Sequence, residues 1–498
     1  MLMTVADPLL GSTFAVDLPA ACRAHSTKLA LFGSRISLTY SELLTLAQQL
    51  ATDLQSAGSR EAEPIHIRVS NHPLDIVALL GVWLIGAVAV PIHRSTPSDT
   101  ERRLETRTGA RLAVDMLDGQ QIRRLTDQSP PKRDLLDGAA LIVFTSGSTG
   151  EPKGAVIGNQ EFRAKIEQID SLLRFQNDER TLLVLNITFS FGLWVSLLTL
   201  LRGGTLIMHE KFTADDFVRS LRDDQITRVA VVPTMMRVLF ANDHLARELA
   251  TSLPLRQVMI GGESLGLSLA RRIRNTLSAA ELVDIYGLTE TATCDFFGFP
   301  ETFNAHPGAI GKPSPHVRFR IVDNADLIVD AGVTGELQLR SPYLMYGYLD
   351  RPDLTSAAYA DGWFRTGDLA RTVDDDVVEL MGRSKELINR GGNKVSPVEV
   401  EQAICTHSDV AAAMVIGVSD AILGERIHAL LVPRSGMRLD IDAIRARLLQ
   451  SLERYKAPDQ YYLGNELPLG RTGKADRTQF RALIEAGSLV PIDKEPTL

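Results

Sequence analysis

The sequence predicts an α/β fold: a large N-terminal domain of mixed, largely parallel sheets with flanking helices and an antiparallel section, followed by a small α+β C-terminal domain. From about residue 20 to 380, short aliphatic or β-branched runs alternate with longer amphipathic stretches, the pattern of buried, mostly parallel strands joined by helices. Past about residue 330 the strands become punctuated by Gly and Asp, as in an antiparallel section. Near residue 385 a unit of about 110 residues begins, large enough for a core of its own.

The chain has 498 residues, 45% hydrophobic and 23% charged, enough for about three domain-sized units, or two if one is large. Lys and Arg number 53 against 61 Asp and Glu, a net charge of -8, which offers no electrostatic footprint for nucleic acid. Cys22, Cys294 and Cys405 stand far apart without CxxC spacing and read as free thiols in a reducing compartment. The N-terminal stretch carries Asp7 and Asp17 and lacks a basic region followed by an apolar run, so a cytoplasmic location is expected.

Leu141–Phe144, Val229–Val232, Val258–Ile260 and Leu282–Ile285 are short apolar runs read as strands, three of them ending in glycine- or hydroxyl-rich turns. In an open α/β sheet, ligands sit at the carboxyl ends of strands, so these turns together suggest one composite site. The uncharged stretch Leu182–Leu201 has the length of a bilayer span, but Asn186, Thr188, Ser190, Gly192, Ser196 and Thr199 interrupt it, and a buried core element has the same composition. No membrane span is expected. Asp374–Asp376 reads as a turn tip. In the C-terminal unit Ser396-Pro397-Val398-Glu399 has the form of a capping box. Two strands over 411–418 and 426–432 follow, then a helix whose buried face is Ile441, Ile444, Leu448, Leu449 and Leu452.

The sharpest signal is Thr145-Ser146-Gly147-Ser148-Thr149-Gly150-Glu151-Pro152-Lys153-Gly154. After a buried strand, its glycines let backbone N–H groups approach a polyphosphate while hydroxyls and an ammonium donate to the oxygens. It is not a P-loop, because Pro152 precedes Lys153 and Gly154 follows it. The segment resembles the phosphate-binding signature of the adenylate-forming superfamily: acyl-coenzyme A synthetases, adenylation domains of nonribosomal peptide synthetases, and luciferases. Tyr286-Gly287-Leu288-Thr289-Glu290-Thr291 is similar to the family's adenine- and magnesium-binding turn, and Arg365-Thr366-Gly367-Asp368 to its ribose-binding turn. Gly382-Arg383-Ser384-Lys385 is similar to its domain junction, and Pro468-Leu469-Gly470-Arg471-Thr472-Gly473-Lys474 to its C-terminal lysine loop. These five motifs stand in the family's order over residues 145 to 474, about two-thirds of the chain.

The resemblance implies roles. Thr145 through Gly150 and Lys153 would cradle phosphate, with Thr145 also catalytic. Glu290 would hold magnesium between phosphates, and Tyr286, with Gly287 and Thr289, would face the adenine. Asp368 would accept from both ribose hydroxyls and Arg383 would add a donor. Gly261-Gly262-Glu263 resembles the strand-end turn lining the adenine and acyl pockets. Lys474 would offset the repulsion between an attacking carboxylate and the α-phosphate of ATP. Lys385 aligns with the hinge about which residues 385–498 turn relative to 1–384, bringing Gly391 and Gly392 to the site as a channel for a pantetheine thiol.

By the same resemblance, Phe189, Ser190, Phe191, Trp194, Ile285, Thr293 and Cys294 would line the acyl pocket. Ser190 falls where amino-acid-activating members place an Asp, so no carboxylate is offered to an α-ammonium. Phe191 and Trp194 would shorten the pocket toward a small or compact acid. Many acyl-coenzyme A synthetases have His where this chain has Phe189, which leaves the subfamily open. The expected activity is an AMP-forming acid–thiol ligase using ATP, magnesium, a carboxylic acid and coenzyme A. An alternative acceptor is the phosphopantetheine of an acyl or peptidyl carrier protein. The reading from another class, a non-catalytic nucleotide-binding protein, is opposed by the presence of every expected polar residue.

Overall fold

The computed structural model describes residues 11–33, 35–117, 119, 121–145, 152–251, 253–434, 436–470 and 474–492. The four short apolar runs become the strands Ala139–Thr145, Arg228–Val231, Gln257–Gly261 and Glu281–Tyr286. Strands Leu29–Phe32, Thr205–Met208, Arg180–Leu183, Arg228–Val231, Gln257–Gly261 and Glu281–Tyr286 run parallel in that order, with antiparallel strands closing both edges of a nine-stranded sheet. A seven-stranded sheet has the parallel centre Ala139–Thr145, Val88–His93, Pro64–Val69 and Leu112–Asp115. Several central strands are buried at every residue, among them Thr205–Met208 and Gln257–Gly261, which is why they read as continuous apolar runs and not as alternation.

The uncharged stretch Leu182–Leu201 divides in two. Its start ends the strand Arg180–Leu183, and its second half is the buried helix Ser190–Leu201. No helix among the described residues is long and apolar enough to cross a membrane.

The antiparallel section is a five-stranded sheet in which Trp363–Asp374 and Val377–Arg383 form a hairpin whose tip is Asp374–Asp376. The hairpin's register sets Asp368 directly opposite Arg383. A single sequence pattern therefore delivers both residues to one spot.

Beyond Lys385 a second five-stranded sheet is built on the long antiparallel pair Val410–Asp420 and Gly424–Pro433. Alternation along the first strand sends Val415 to one core, with Val400, Ile444 and Leu448, and Met414 and Ile416 to another, with Leu430 and Phe480. Two local expectations are corrected. Ser396 accepts from the Glu399 N–H at 3.4 Å, but the Glu399 carboxylate takes Lys456 at 2.7 Å instead of returning to the cap, so half the capping box forms. Leu449 is 46% exposed because it lies one residue, about 100° of helix, beyond Leu448.

Candidate active site

Two strand ends from different sheets create the site. Ala139–Thr145 delivers Thr145 and Glu281–Tyr286 runs into Gly287–Glu290. The Thr145 hydroxyl lies 3.5 Å from Glu290 Oε1, which also accepts from Tyr348 Oη at 2.9 Å. Lys153 Nζ stands 5.1 Å from the centroid of that same Tyr348 ring. Tyr348 thus stands between Lys153, the lysine of the expected phosphate loop, and the expected magnesium carboxylate, a position that no motif signalled. Burial, and then Glu290, push its hydroxyl pKa up, so the proton stays on the tyrosine and the carboxylate accepts. Ser146, Gly147, Ser148, Thr149 and Gly150 lie outside the described residues.

A cleft of about 2000 Å³ opens over these groups and is lined by Thr145, Lys153, Tyr286, Glu290, Asp368, Arg383 and Lys474, among others. Asp368 is 4% exposed. Its Oδ2 accepts from Tyr286 Oη at 2.6 Å and its Oδ1 pairs with Arg383 Nε at 2.9 Å. Burial raises the Asp368 pKa, while Arg383 and Tyr286 oppose that shift. Each oxygen has one partner, leaving lone pairs for further donors. Gly287 has no space for a side chain, since a Cβ would lie 2.2 Å from the Cys294 nitrogen.

Lys474 enters from the C-terminal unit. Its side chain crosses Gly262, where a Cβ would come within 2.9 Å of Cε and 3.0 Å of Nζ. Burial lowers the lysine's pKa and Glu263 works against that. Glu263 faces this loop: its Oε1 accepts from the N–H of Ala475 at 2.6 Å.

Phe189, Ser190, Phe191, Ile285 and Thr293 line the cleft. Trp194 and Cys294 do not: both are fully buried behind the wall. Trp194 stacks beneath Phe191 at 5.7 Å and the Cys294 thiol is pushed up to about 12 by burial. Trp194 faces the hydrophobic core under its helix and Cys294 the back of a turn. Lys385 is exposed in the short turn Ser384–Glu386 between the two five-stranded sheets. Gly391 and Gly392, at φ +57° and +83°, turn an exposed loop that does not line the cleft in this structure.

Sequence reasoning missed two further features. Ala292, Thr293 and Cys294 have φ of 53°, 79° and 50°, a run of left-handed residues that costs about 1–3 kcal/mol each and persists only where surroundings over-determine it. Those surroundings are a buried polar network. Lys165, fully buried, reaches Asp295 at 3.4 Å and Ser314 at 2.9 Å; Thr291 donates to the other Asp295 oxygen. The Thr293 N–H bonds the Leu288 carbonyl at 2.9 Å. The lysine of an amphipathic helix, 130 residues before its partner, gave no local signal. Asp284 is the second miss: it lines the cleft two residues before Tyr286, and burial pushes it up to about 7.

Among the described residues no three His, Cys, Asp or Glu side chains gather as a metal cage. Glu290 beside the Thr145 hydroxyl suits a magnesium ion, which takes one or two carboxylates and completes its shell with phosphate and water.

A model of the AMP-binding enzyme family matches residues 18–349, and one of the AMP-binding enzyme C-terminal domain matches residues 399–474. The chain is 31% identical over 481 residues to a feruloyl-CoA synthase of Amycolatopsis, covering 92% of this chain and 96% of that one. It is 30% identical to triostin synthetase I of Streptomyces triostinicus, with 95% of each covered. A benzoate CoA ligase structure from Burkholderia xenovorans LB400 shares the fold with a TM-score of 0.82 at 21% identity, over 94% of this chain and all of that chain.

Proposed function

This chain belongs to the AMP-binding enzyme family, and we propose that it joins a small or compact carboxylic acid to coenzyme A through an acyl-AMP intermediate. The observation that carries the reading is the convergence of Lys474 on the cleft that holds Tyr286, Asp368 and Glu290. In the first step a carboxylate oxygen bonds to the α-phosphorus of ATP as the bond to the pyrophosphate oxygen breaks. In the second, the thiol of coenzyme A gives its proton to water and its sulfur bonds to the acyl carbon as the bond from that carbon to the AMP oxygen breaks. Lys474 offsets the approach of two anions, worth about 4 kcal/mol at 4 Å in an effective dielectric near 20. Asp368 and Tyr286 hold the nucleoside, and Glu290 with Thr145 would hold magnesium, which neutralises phosphate charge. Phe189, Phe191 and Thr293 bound the acid, and Phe191 over Trp194 favours an aryl or short acyl group.

The unit 385–498 is read as mobile about Lys385, with Gly391 and Gly392 serving the thiol step after it turns. Coenzyme A is favoured as acceptor because the relatives named for an acceptor are named for it. Free, largely buried thiols support a reducing, cytoplasmic setting. The test is a panel of aryl and short acyl acids with pyrophosphate release followed and the product weighed by mass spectrometry. At least one compact acid is expected to release pyrophosphate and give a coenzyme A thioester. No acid-dependent pyrophosphate from any of them overturns the reading.

A further inference from the structure

Glu263 bridges the two units. One carboxylate oxygen, Oε2, accepts from the backbone N–H and the hydroxyl of Thr234, at 3.0 and 2.7 Å. Both donors sit in the first turn of helix Pro233–Ala241, and Arg237 of the same helix approaches to 3.7 Å. The large unit therefore fixes the carboxylate by itself. The other oxygen, Oε1, accepts from the N–H of Ala475 at 2.6 Å, 212 residues away.

Ala475 directly follows Lys474, and it pairs antiparallel with Leu469. Gly470 donates to the Lys474 carbonyl at 2.8 Å and Asp476 to that of Pro468 at 2.9 Å. Fixing the amide of residue 475 fixes the lysine's own Cα to within one peptide unit. A second contact, Gln402 Nε2 to Ser264 Oγ at 3.0 Å, lies on the residue after Glu263 but is exposed and joins neutral groups.

We propose that Glu263 is a positioning residue: by accepting the Ala475 N–H it latches the C-terminal unit in the orientation that forms acyl-AMP, and that bond breaks when the unit turns for the thiol step. The assignment of the two steps rests on the proposed function; the latch itself does not. Its chemistry suits repeated opening. A hydrogen bond to a carboxylate is stronger than a neutral one, so it holds the loop. Once it breaks, Oε2 keeps Thr234 and Oε1 meets water in the opened cleft, so no buried charge is stranded.

The experiment measures the half-reactions separately, acyl-AMP formation in single turnover and thioester formation from preformed acyl-AMP, together with hydrogen exchange of the peptide spanning 474–476. Glu263→Ala is expected to slow acyl-AMP formation by about 10- to 100-fold, to leave the thiol step within about 2-fold, and to speed exchange at residues 474–476. Glu263→Gln is expected to fall between, because its amide cannot present an acceptor to Ala475 and to Thr234 at once. Gln402→Ala, which removes the exposed contact to Ser264 between the same two units, controls for the loss of any inter-unit bond and is expected to keep acyl-AMP formation near that of the parent. Undiminished acyl-AMP formation overturns the latch, as does an equal loss in both half-reactions or exchange that does not change. If the parent protein activates no acid, the proposed function fails, and the exchange measurement still decides the latch.

Discussion

Asp368 and Lys474 face the same cleft and are held there in opposite ways. Asp368 is pinned inside the large unit, with a cross-strand arginine on one oxygen, a buried tyrosine on the other, and 4% exposure. Lys474 arrives from a separate unit on a loop that a backbone hydrogen bond ties to Glu263. Under the proposed function the nucleotide side is thus preorganised, and the charge that would serve the chemistry arrives on a unit read as mobile. Such a division suits an enzyme that must first make an anhydride and then clear space for a thiol.

The largest effect that sharpens this comparison is on rate. Lys474→Ala should lower acyl-AMP formation by about 10²–10³-fold, the usual cost of one donor aimed at developing charge, while nucleotide affinity changes by less than about 5-fold, because the preorganised side is intact. Pre-steady-state acyl-AMP formation and nucleotide titration measure the two. Loss of affinity equal to the loss of rate would show that the lysine binds ATP in the ground state and that the division is not real.

Both sides were legible as short motifs, Lys474 in its C-terminal loop as much as the nucleotide side, and the strand ends show why. Tyr286, Glu290, Asp368 and Arg383 sit in short motifs at strand ends, where glycine turns and polar residues interrupt apolar runs. Parallel strands such as Gln257–Gly261 were visible because burial on both faces leaves no alternation to confuse. What stayed hidden depends on the side chain's direction or on a distant partner. Trp194 and Cys294 are at the predicted place but point away from the cleft. Leu449 is apolar yet turned to solvent by 100° of helix. Lys165, Tyr348 and Asp284 take their meaning from residues far along the chain or from burial, neither of which local spacing encodes. Glu263 was read as a pocket-lining residue, and its contact with Ala475 needed the two units docked.

A smaller effect probes how the preorganised side is supported. Lys165→Met would leave Asp295 buried without its cation, and breaking a buried pair on one side costs about 3 kcal/mol or more. Urea unfolding should register this near pH 7. The burial that pushes Asp295 up to about 6 acts more strongly once the lysine is gone, so the deficit should shrink on acidification as the carboxyl takes a proton. Lys165→Met with Asp295→Leu should recover most of the stability, since an apolar pair avoids the stranded charge. If the double variant folds well yet its acid KM rises with ATP KM unchanged, the network's work is on the left-handed turn at Thr293 and hence on the acyl wall. A deficit independent of pH would refute the stranded-charge account.

The smallest effect concerns Asp284, the one acid on the preorganised side whose pKa burial carries up to about 7, against the pull of a backbone hydrogen bond from Ile285. In the unfolded chain an aspartate titrates near 3.9, so below about pH 4 both states hold the proton and the group contributes no slope. Between about pH 4 and 7 the unfolded chain has lost that proton while the folded one retains it. The native state then binds more protons, and stability falls as pH rises; above about 7 both are ionised and the slope vanishes. Asp284→Asn removes this term alone, so its stability relative to the parent should climb across pH 4.5 to 7 and level off beyond. Because the carboxyl borders a wet cleft, the climb should be on the order of 1–2 kcal/mol by urea unfolding. Parallel curves for the two proteins would mean that the cleft solvates Asp284 well enough to ionise it, adding a carboxylate charge to those of Asp368 and Glu290 and weakening the contrast between the binding side and the lysine that approaches it.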